Sequence, residues 1–309
     1  MTIDKSNVGL IGLGNVSRFI LNGIDRVPGL NLASVMDKDE GKRKGVPEER
    51  INFYSEGEMN SFLNSVDLVV IATPPHLHKS QAIEALNAGK HVLCEKPISI
   101  RFEDAQEMIS TARKNNRVLM VPCHQRYNPQ IEELIKDKRY IDSISSVELK
   151  FLEDIAEFTQ NSWIFEREKS GGGCIMDSGI NAVDCLETIL GPIQIEGGEI
   201  SYKDKMNNSL NVETSAEIYF QFRNGTGRMK ISWVADTNEF GIVLKSPEGE
   251  RRIDFNYDLG INSQMYIEYQ RIFSEFLSLI HSEGRYEETR AIRNLKMVET
   301  IYKLAKDER

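Results

Sequence analysis

The fold that we predict for this chain of 309 residues follows from one segment, Val8-Gly9-Leu10-Ile11-Gly12-Leu13-Gly14-Asn15-Val16-Ser17. Its apolar first half predicts a buried β-strand, and its paired glycines predict a tight turn that opens a helix. Short apolar runs then alternate with helical patterns as far as Val121. This alternation is typical of an α/β fold with a doubly wound parallel sheet.

The glycine turn has the chemistry of a dinucleotide-binding site. Gly12 permits the tight turn, and Gly14 lets a pyrophosphate approach the backbone, with Asn15 and Val16 completing the turn. The helix that follows offers its free amides and its positive dipole end to phosphates. Ser17 stands where the third glycine of the usual pattern would be, and it is small enough to keep the helix close to the strand.

An acidic residue ends the second predicted strand, which covers Leu32 to Met36. A carboxylate at Asp37 would bind the adenosine ribose hydroxyls and repel an added 2′-phosphate, which favours NAD over NADP. The neighbouring Lys38, Arg43 and Lys44 would weaken that preference, unless they are solvated surface residues.

Two further strand ends carry candidate cofactor-binding residues. The fourth strand runs into Ala72-Thr73-Pro74-Pro75-His76-Leu77-His78, in which either histidine is a binding residue or simply a helix-start residue. The fifth strand, His91 to Cys94, runs into Glu95-Lys96-Pro97. Ligands of open parallel sheets bind at the carboxyl ends of the strands, so Lys96 is expected beside the cofactor and a second reactant. The lysine at the strand end and the glycine turn together predict a dehydrogenase.

The sequence pattern changes after Pro122. Alternating or long apolar strands are predicted at Ser146 to Leu152, Ala216 to Phe222, Arg228 to Val234 and Gly241 to Lys245, with a hairpin turn at Asn224-Gly225. Antiparallel pairing is expected there. We therefore predict a nucleotide-binding domain over 1–122 and an α+β substrate-binding and oligomerisation domain over 123–309, whose last helices are able to pack back on the first domain.

Composition narrows the class of protein. The formal charge is −9, from 38 basic and 47 acidic side chains, and no basic block is long enough to follow a phosphate backbone, so we expect no nucleic-acid partner. No apolar run reaches the roughly 18 residues of a membrane span, and Met1 to Lys5 lacks the pattern of a signal peptide, so a cytoplasmic protein is expected. The four cysteines form no CxxC pair, which argues against disulfides and a metal site.

Several motifs along the chain resemble the landmarks of one family. They are Gly12-Leu13-Gly14, Thr73-Pro74 with His78, Glu95-Lys96-Pro97, Arg126-Tyr127-Asn128-Pro129, and Trp163 ahead of Gly171-Gly172-Gly173 with Asp177. In this order they resemble the Gfo/Idh/MocA oxidoreductases, the glucose-fructose oxidoreductase and inositol dehydrogenase group. The resemblance implies a Rossmann domain followed by a mostly antiparallel, open-faced sheet that commonly forms homodimers or homotetramers.

The resemblance also implies catalytic residues and exposes one departure. Family dehydrogenases use the lysine of the EKP motif, here Lys96, with an aspartate and a histidine four residues apart, here Asp177 and Asn181. Asn181 can hold a substrate hydroxyl, but an amide cannot accept the proton of an alcohol. His124, which follows the sixth strand, is one replacement base, or else a packing residue. Lys96 with a lowered pKa is another, and the third possibility is that no alcohol is oxidised.

Three further residues are candidates for contacting substrate. Arg126 and Tyr127 match a family position near the substrate or the domain junction. Arg126 suits a carboxylate or phosphate on the ligand, and a salt bridge between domains is the alternative. Trp163 lies in a long predicted loop from Glu153 to Ser170 and either covers the substrate pocket, together with Phe158, Asn161 and Phe165, or covers the core.

The sequence thus predicts an NAD-dependent dehydrogenase that oxidises a secondary alcohol of a sugar, sugar derivative or cyclitol. Two alternatives stay open. The first is an enzyme that uses bound NAD to cleave a glycosidic bond by elimination, with no net redox change. The second is a regulatory protein that binds NAD and sugar without catalysis.

Overall fold

The computed structural model describes residues 5–46, 51–158, 162–206, 210–255, 263–282 and 288–308. The chain divides into two compact units, of which the first contains Met1–Pro122 and Tyr269–Ile292 and the second contains Cys123–Glu268 and Arg293–Arg309. Within the described ranges, no helix combines the length and the apolar character needed to span a membrane.

The first unit is built on a six-stranded parallel sheet with the order β3-β2-β1-β4-β5-β6. The predicted doubly wound parallel sheet is therefore confirmed. Its central strands are buried on both faces, which explains why β4 reads as an unbroken apolar run. The strands are β1 (Ser6–Ile11), β2 (Leu30–Met36), β3 (Asn52–Tyr54), β4 (Leu68–Ile71), β5 (His91–Cys94) and β6 (Leu119–Met120).

Four helices of the first unit follow these strands. They are α1 (Ser17–Arg26), α2 (Met59–Asn64), α3 (Pro75–Asn87) and α4 (Phe102–Lys114). The apolar face of α1 buries Phe19, Ile20 and Ile24. Helix α4 carries acidic residues in its first turn and basic residues in its last turn, which complements the helix dipole.

The second unit contains two short helices ahead of its first strand. They are α5 (Pro129–Leu134) and α6 (Lys138–Ser143). The chain breaks between them because the Asp137 side chain accepts the backbone N–H of Tyr140 at 3.1 Å and so starts a new helix.

The second sheet has seven strands in the order β12-β11-β7-β10-β9-β8-β13. Most neighbours are antiparallel, as predicted, but β7 with β10 and β8 with β13 are parallel pairs. The strands β9 and β10 form the predicted hairpin, with Phe222 paired to Gly225. The strands are β7 (Ser146–Asp154), β8 (Ile193–Ser201), β9 (Ser215–Phe222), β10 (Gly225–Ser232), β11 (Val234–Ser246), β12 (Gly249–Asp254) and β13 (Ala305–Glu308).

The segment between β7 and β8 is more helical than predicted. Instead of one long loop from Glu153 to Ser170 it contains α7 (Ile155–Phe158), a 3₁₀ turn (Ser162–Phe165) and α8 (Arg167–Ser170). Beyond the glycine run, a π-helical segment (Ile175–Gly179) leads directly into α9 (Ile180–Leu190).

Two long helices, α10 (Met265–His281) and α11 (Glu288–Leu304), follow. From Tyr269 onwards, α10 packs against α1 in the first unit. The Tyr269 ring stacks on Phe19 with 6.1 Å between ring centroids, and Phe273 lies against Gly23 so closely that a Cβ there would be 2.6 Å from its ring. A side chain at position 23 would therefore separate the two helices.

Candidate functional site

Three candidate residues lie side by side at the carboxyl edge of the first sheet. Gly12, Ala72 and Glu95 directly follow β1, β4 and β5, whose last residues are paired in register. Each donates its backbone N–H to a carbonyl of a neighbouring strand at 2.8–2.9 Å, so the hydrogen-bonded ladder extends one residue beyond the strands. The cofactor-binding positions predicted from separate motifs therefore form one continuous row.

The glycine turn has space for a ligand on its outer side. Gly12 has φ +96°, and a Cβ there would lie 2.6 Å from the carbonyl oxygen of Ala72, so the turn requires glycine. A Cβ at the exposed Gly14 would meet no atom within 4 Å. The Ser17 hydroxyl donates to the Gly14 carbonyl at 2.6 Å, and the first turn of α1 has no acidic side chain. The turn, with exposed Asn15 and half-buried Val16, therefore fits an anionic group.

Asp37 is fixed at the end of β2. Its carboxylate accepts the backbone N–H groups of Leu13 at 2.7 Å and Asp39 at 2.9 Å, and it pairs with Lys42 Nζ at 3.1 Å. Burial raises the pKa of the Asp37 carboxyl, but these donors outweigh burial and hold the pKa below its ordinary value. A negative charge therefore sits beside the glycine turn. The sequence interpretation missed Lys42, whereas Lys38, Arg43 and Lys44 are exposed.

His78 links the strand ends of β4 and β5. Its fully buried ring places Nδ1 2.8 Å from the Pro97 carbonyl oxygen and Nε2 2.8 Å from the Thr73 carbonyl oxygen. Burial lowers the pKa of His78, and the carbonyl groups partly offset that effect. The Thr73 hydroxyl donates to Gln81 Oε1 at 2.6 Å, and Pro74 precedes the first residue of α3. His78 is thus a connecting residue, while His76 is exposed.

The backbone around Lys96 is held by its neighbours. Glu95 is buried, and its carboxylate accepts the Tyr269 hydroxyl at 2.6 Å and the Lys96 backbone N–H at 3.3 Å. The peptide bond from Lys96 to Pro97 is cis, and the Lys96 side chain is half-buried. Because Tyr269 is 174 residues away from Glu95, no local sequence signal revealed this contact.

In the second unit, His124 is paired with a buried carboxylate. Its Nδ1 lies 2.6 Å from Glu268 Oε2, and Glu268 has no exposed surface. The other ring nitrogen, Nε2, lies 3.2 Å from the side-chain nitrogen of Gln125. His124 therefore has the carboxylate partner that orients catalytic imidazoles, which the sequence interpretation did not include.

Arg126 is engaged by an acidic residue of α9. Its Nε donates to Asp184 Oδ2 at 3.0 Å, its Nη2 donates to Asp184 Oδ1, and Asp184 also accepts the Asn294 side-chain N–H at 3.1 Å. Both members of this ion pair belong to the second unit. Tyr127 beside it is 5% exposed.

Asp177 and Asn181 lie on either side of the change from π to α geometry. Asp177 is half-buried in the π-helical segment, which is a frequent feature of functional sites. Asn181 is 5% exposed, and among the residues that the structure describes none donates a hydrogen bond to its Oδ1. A buried amide oxygen of this kind fits a ligand hydroxyl.

Glu213 positions the glycine run that precedes Asp177. Its Oε1 accepts the backbone N–H of Gly173 at 2.7 Å and of Ile175 at 3.1 Å, and the Tyr302 hydroxyl at 2.6 Å. A Cβ at Gly173 would collide with the carbonyl oxygen of Glu213. The glycine run is therefore needed for this close approach, and the anchor lies 40 residues later in the chain.

Trp163 is half-buried in its 3₁₀ turn, whereas Asn161 lies outside the described residues. Phe165 from the same turn packs edge-on against Trp233, with 6.0 Å between centroids and 83° between ring planes, so Phe165 covers the core.

The four cysteines are buried free thiols, and the described parts of the chain hold no group of three His, Cys, Asp or Glu residues able to bind a metal.

Two family models match most of this chain. Residues 6–123 match the model described as oxidoreductase family, NAD-binding Rossmann fold. Residues 130–254 match the GFO/IDH/MocA C-terminal domain. The two matches are consecutive and agree in order with the two sheets.

Named relatives act on sugars or their derivatives. The 1,5-anhydro-D-fructose reductase of Ensifer adhaerens is 29% identical over 247 residues, which cover 78% of this chain and 73% of that protein. The 2,7-anhydro-N-acetylneuraminate hydratase of Escherichia coli (strain K12) is 28% identical over 265 residues, which cover 82% of this chain and 69% of that protein. The solved levoglucosan dehydrogenase complex with NADH shares the fold, with a TM-score of 0.81 at 18% identity over 97% of this chain and 96% of that one.

Proposed function

Because this chain belongs to the Gfo/Idh/MocA oxidoreductase family, we propose that it is an NAD-dependent dehydrogenase that oxidises a secondary alcohol of a sugar, sugar derivative or cyclitol. The observation that carries this proposal is the continuous row formed by Gly12, Ala72 and Glu95, with Lys96 next in the chain. Ligands of such sheets bind along this edge. The names of the relatives support a sugar as substrate.

The residues at this edge fit NAD. The open space before Gly14 suits the pyrophosphate, and Asp37 suits the ribose hydroxyls. Bound NAD supplies a nicotinamide ring that accepts hydride. We favour NAD over NADP because the Asp37 carboxylate would repel a 2′-phosphate, although Lys42 beside it reduces the repulsion.

Within this proposal, the side chains have distinct roles. Lys96 donates a hydrogen bond to the oxygen of the alcohol that is oxidised, and Asp177 binds a second hydroxyl. His124 accepts the alcohol proton because Asn181, at the position where the family has histidine, has no basic nitrogen. Asn181 instead accepts a hydrogen bond from a substrate hydroxyl through its buried Oδ1.

The test of the proposal is the variant Lys96→Ala, compared with Lys114→Ala at an exposed position of α4. Oxidation of sugars, sugar acids and cyclitols is followed by NADH absorbance, with NADP assayed in parallel. The Lys96 variant should lose turnover by about 100-fold or more and bind NAD nearly as well as the wild type, because general acid–base groups contribute on that order. Retention of most of the activity would contradict the assignment.

The hydratase relative favours one second candidate. An enzyme that cleaves a glycosidic bond by elimination uses bound NAD transiently and shows no net redox change, which agrees with a departure from the usual base at Asn181. Substrate turnover without accumulation of NADH would identify this activity. A regulatory homologue would instead bind sugar in the presence of NAD without hydride exchange, and Lys96 together with Asp177 argues against it.

A further inference from the structure

His124 has a carboxylate partner for which the proposed function gives no role. We propose that Glu268 is a positioning residue, which holds the His124 imidazole with its proton on Nδ1, stabilises the imidazolium, and so makes Nε2 the nitrogen that accepts the substrate proton. This inference rests on the role of His124 in the proposed function. The His124–Glu268 pair would supply the base in this chain, which has the amide of Asn181 where the family has a histidine.

The geometry fixes the tautomer of the ring. Nδ1 of His124 lies 2.6 Å from Glu268 Oε2, and an ionised carboxylate only accepts hydrogen bonds, so the proton of that bond belongs to Nδ1. Glu268 is fully buried, whereas His124 keeps 11% of its side chain exposed. The pair therefore combines a dry carboxylate with an imidazole that solvent reaches.

The Glu268 carboxylate is itself held in place by Asn128. Its Oε1 accepts the Asn128 side-chain N–H at 3.1 Å. The same amide group donates to Gln264 Oε1 at 2.8 Å, and the Asn128 oxygen caps α5 by accepting the Gln130 N–H at 2.9 Å. Because Asn128 is fixed by the start of a helix, Glu268 has little freedom to rotate. A buried carboxylate with this support orients an imidazole better than a mobile surface carboxylate does.

Gln125 accommodates both protonation states of the ring. Its side-chain nitrogen lies 3.2 Å from His124 Nε2 and donates to the lone pair of the neutral ring while no substrate hydroxyl is bound there. Its Oε1 is buried, and no described residue donates a hydrogen bond to it. A half-turn of the amide presents this oxygen to an Nε2–H group, so the imidazolium is also hydrogen-bonded. One rotation of the Gln125 amide therefore keeps Nε2 hydrogen-bonded after His124 takes up a proton.

Other ionisable groups lie near the pair. Arg126, two residues after His124, forms an ion pair with Asp184 of α9. Cys185 on α9 interacts electrostatically with Glu268, but burial, followed by Asp184 and Glu268, raises the pKa of its thiol well above the ordinary value. Cys185 is therefore uncharged, and Glu268 is the carboxylate that contacts the His124 ring.

The test compares Glu268→Gln with Glu275→Gln, which makes the same change at an exposed position on the same helix. In the pH profile of kcat, the Glu268 variant should lose activity by about 10-fold or more, because a weaker base transfers protons less well. The pH profile should also change shape, because the amide carries no charge to face the imidazolium. The Glu275 variant should match the wild type in both respects.

A second measurement is independent of activity and of the folding of any variant. Nitrogen chemical shifts of ¹⁵N-labelled histidine in the full-length wild type report which ring nitrogen carries the proton. Neutral His124 should carry it on Nδ1. A proton on Nε2 of the neutral ring would overturn the inference, as would a pH profile of Glu268→Gln that coincides with that of Glu275→Gln.

The variant His124→Asn separates this inference from the proposed function. If it loses turnover while Glu268→Gln behaves as the wild type, His124 is the base and the role of Glu268 is refuted. If it retains turnover, the assignment of His124 as base fails, and the nitrogen shifts still decide whether Glu268 fixes the tautomer.

Discussion

Alanine at the two glycines of the first turn separates a folding role from a ligand-binding role. At Gly12, φ is +96° and the new Cβ would lie 2.6 Å from the backbone oxygen of Ala72. A left-handed backbone costs an L-residue about 1–2 kcal/mol, and overpacking against an atom that cannot rotate away costs about 1–3 kcal/mol. The variant Gly12→Ala should therefore lose about 2–5 kcal/mol of unfolding free energy, and NAD binding with it.

Gly14→Ala should have the opposite pattern. The new Cβ meets no protein atom within 4 Å, and the backbone at Gly14 is outside the left-handed region. A glycine replaced by alanine under these conditions leaves stability unchanged or raises it by about 0.4–1 kcal/mol. The methyl group fills the space into which the pyrophosphate should fit, so the affinity for NAD should fall about tenfold or more, which corresponds to roughly 1.4 kcal/mol.

The assays are urea unfolding of both variants without NAD and calorimetric titration of both with NAD. Loss of stability in Gly12→Ala, together with loss of affinity at full stability in Gly14→Ala, would support the site. Wild-type affinity of Gly14→Ala for NAD would refute the placement of the pyrophosphate at this turn.

Three further outcomes follow from individual contacts. Burial and then Arg117 lower the pKa of His91 to about 4, below its ordinary 6.5, so the unfolded chain takes up a proton first as the pH falls. The unfolding free energy should therefore be highest above pH 6.5 and fall by about 1–2 kcal/mol towards pH 4, a figure reduced because His91 is partly exposed. Urea titrations of His91→Gln should show a smaller fall over this pH range. Tyr269→Phe removes a buried hydrogen-bond donor to Glu95 and should cost about 1–3 kcal/mol in urea unfolding, against less than about 0.5 kcal/mol for exposed Tyr219→Phe. Asp37→Ser should raise kcat/KM with NADP relative to NAD about tenfold or more, and an unchanged ratio would show that Asp37 does not select the cofactor.

The local patterns of the sequence were sufficient for the first sheet. Glycine turns, apolar runs and helix patterns are short-range signals, and β1 and β5 end at Ile11 and Cys94, where these signals placed their ends. Parallel strands share one carboxyl edge, so the sequence was sufficient to assign separate motifs to one row. The second sheet was predicted less completely, because β8 and β12 carry many polar residues and resemble loops in sequence.

The sequence did not indicate which side chains contact the candidate residues. Glu268 lies 144 residues from His124, and Asp184 lies 58 residues from Arg126. Nothing in a polar residue on a long helix indicates which distant side chain it will contact. The π-helical segment at Asp177 also escaped prediction, because its sequence is compatible with an ordinary α-helix, and its geometry is set by tertiary packing.

The late return of α10 to the first unit has a consequence during synthesis. The sheet of that unit is complete once Met120 has been translated. The helix that packs against Phe19 and Gly23, α10, belongs to the unit only from Tyr269 onwards. At roughly 5–20 residues per second, a ribosome needs about 7–30 s to make the residues in between. For that time α1 of the nascent chain lacks the helix that packs against Phe19 and Gly23 in the complete protein.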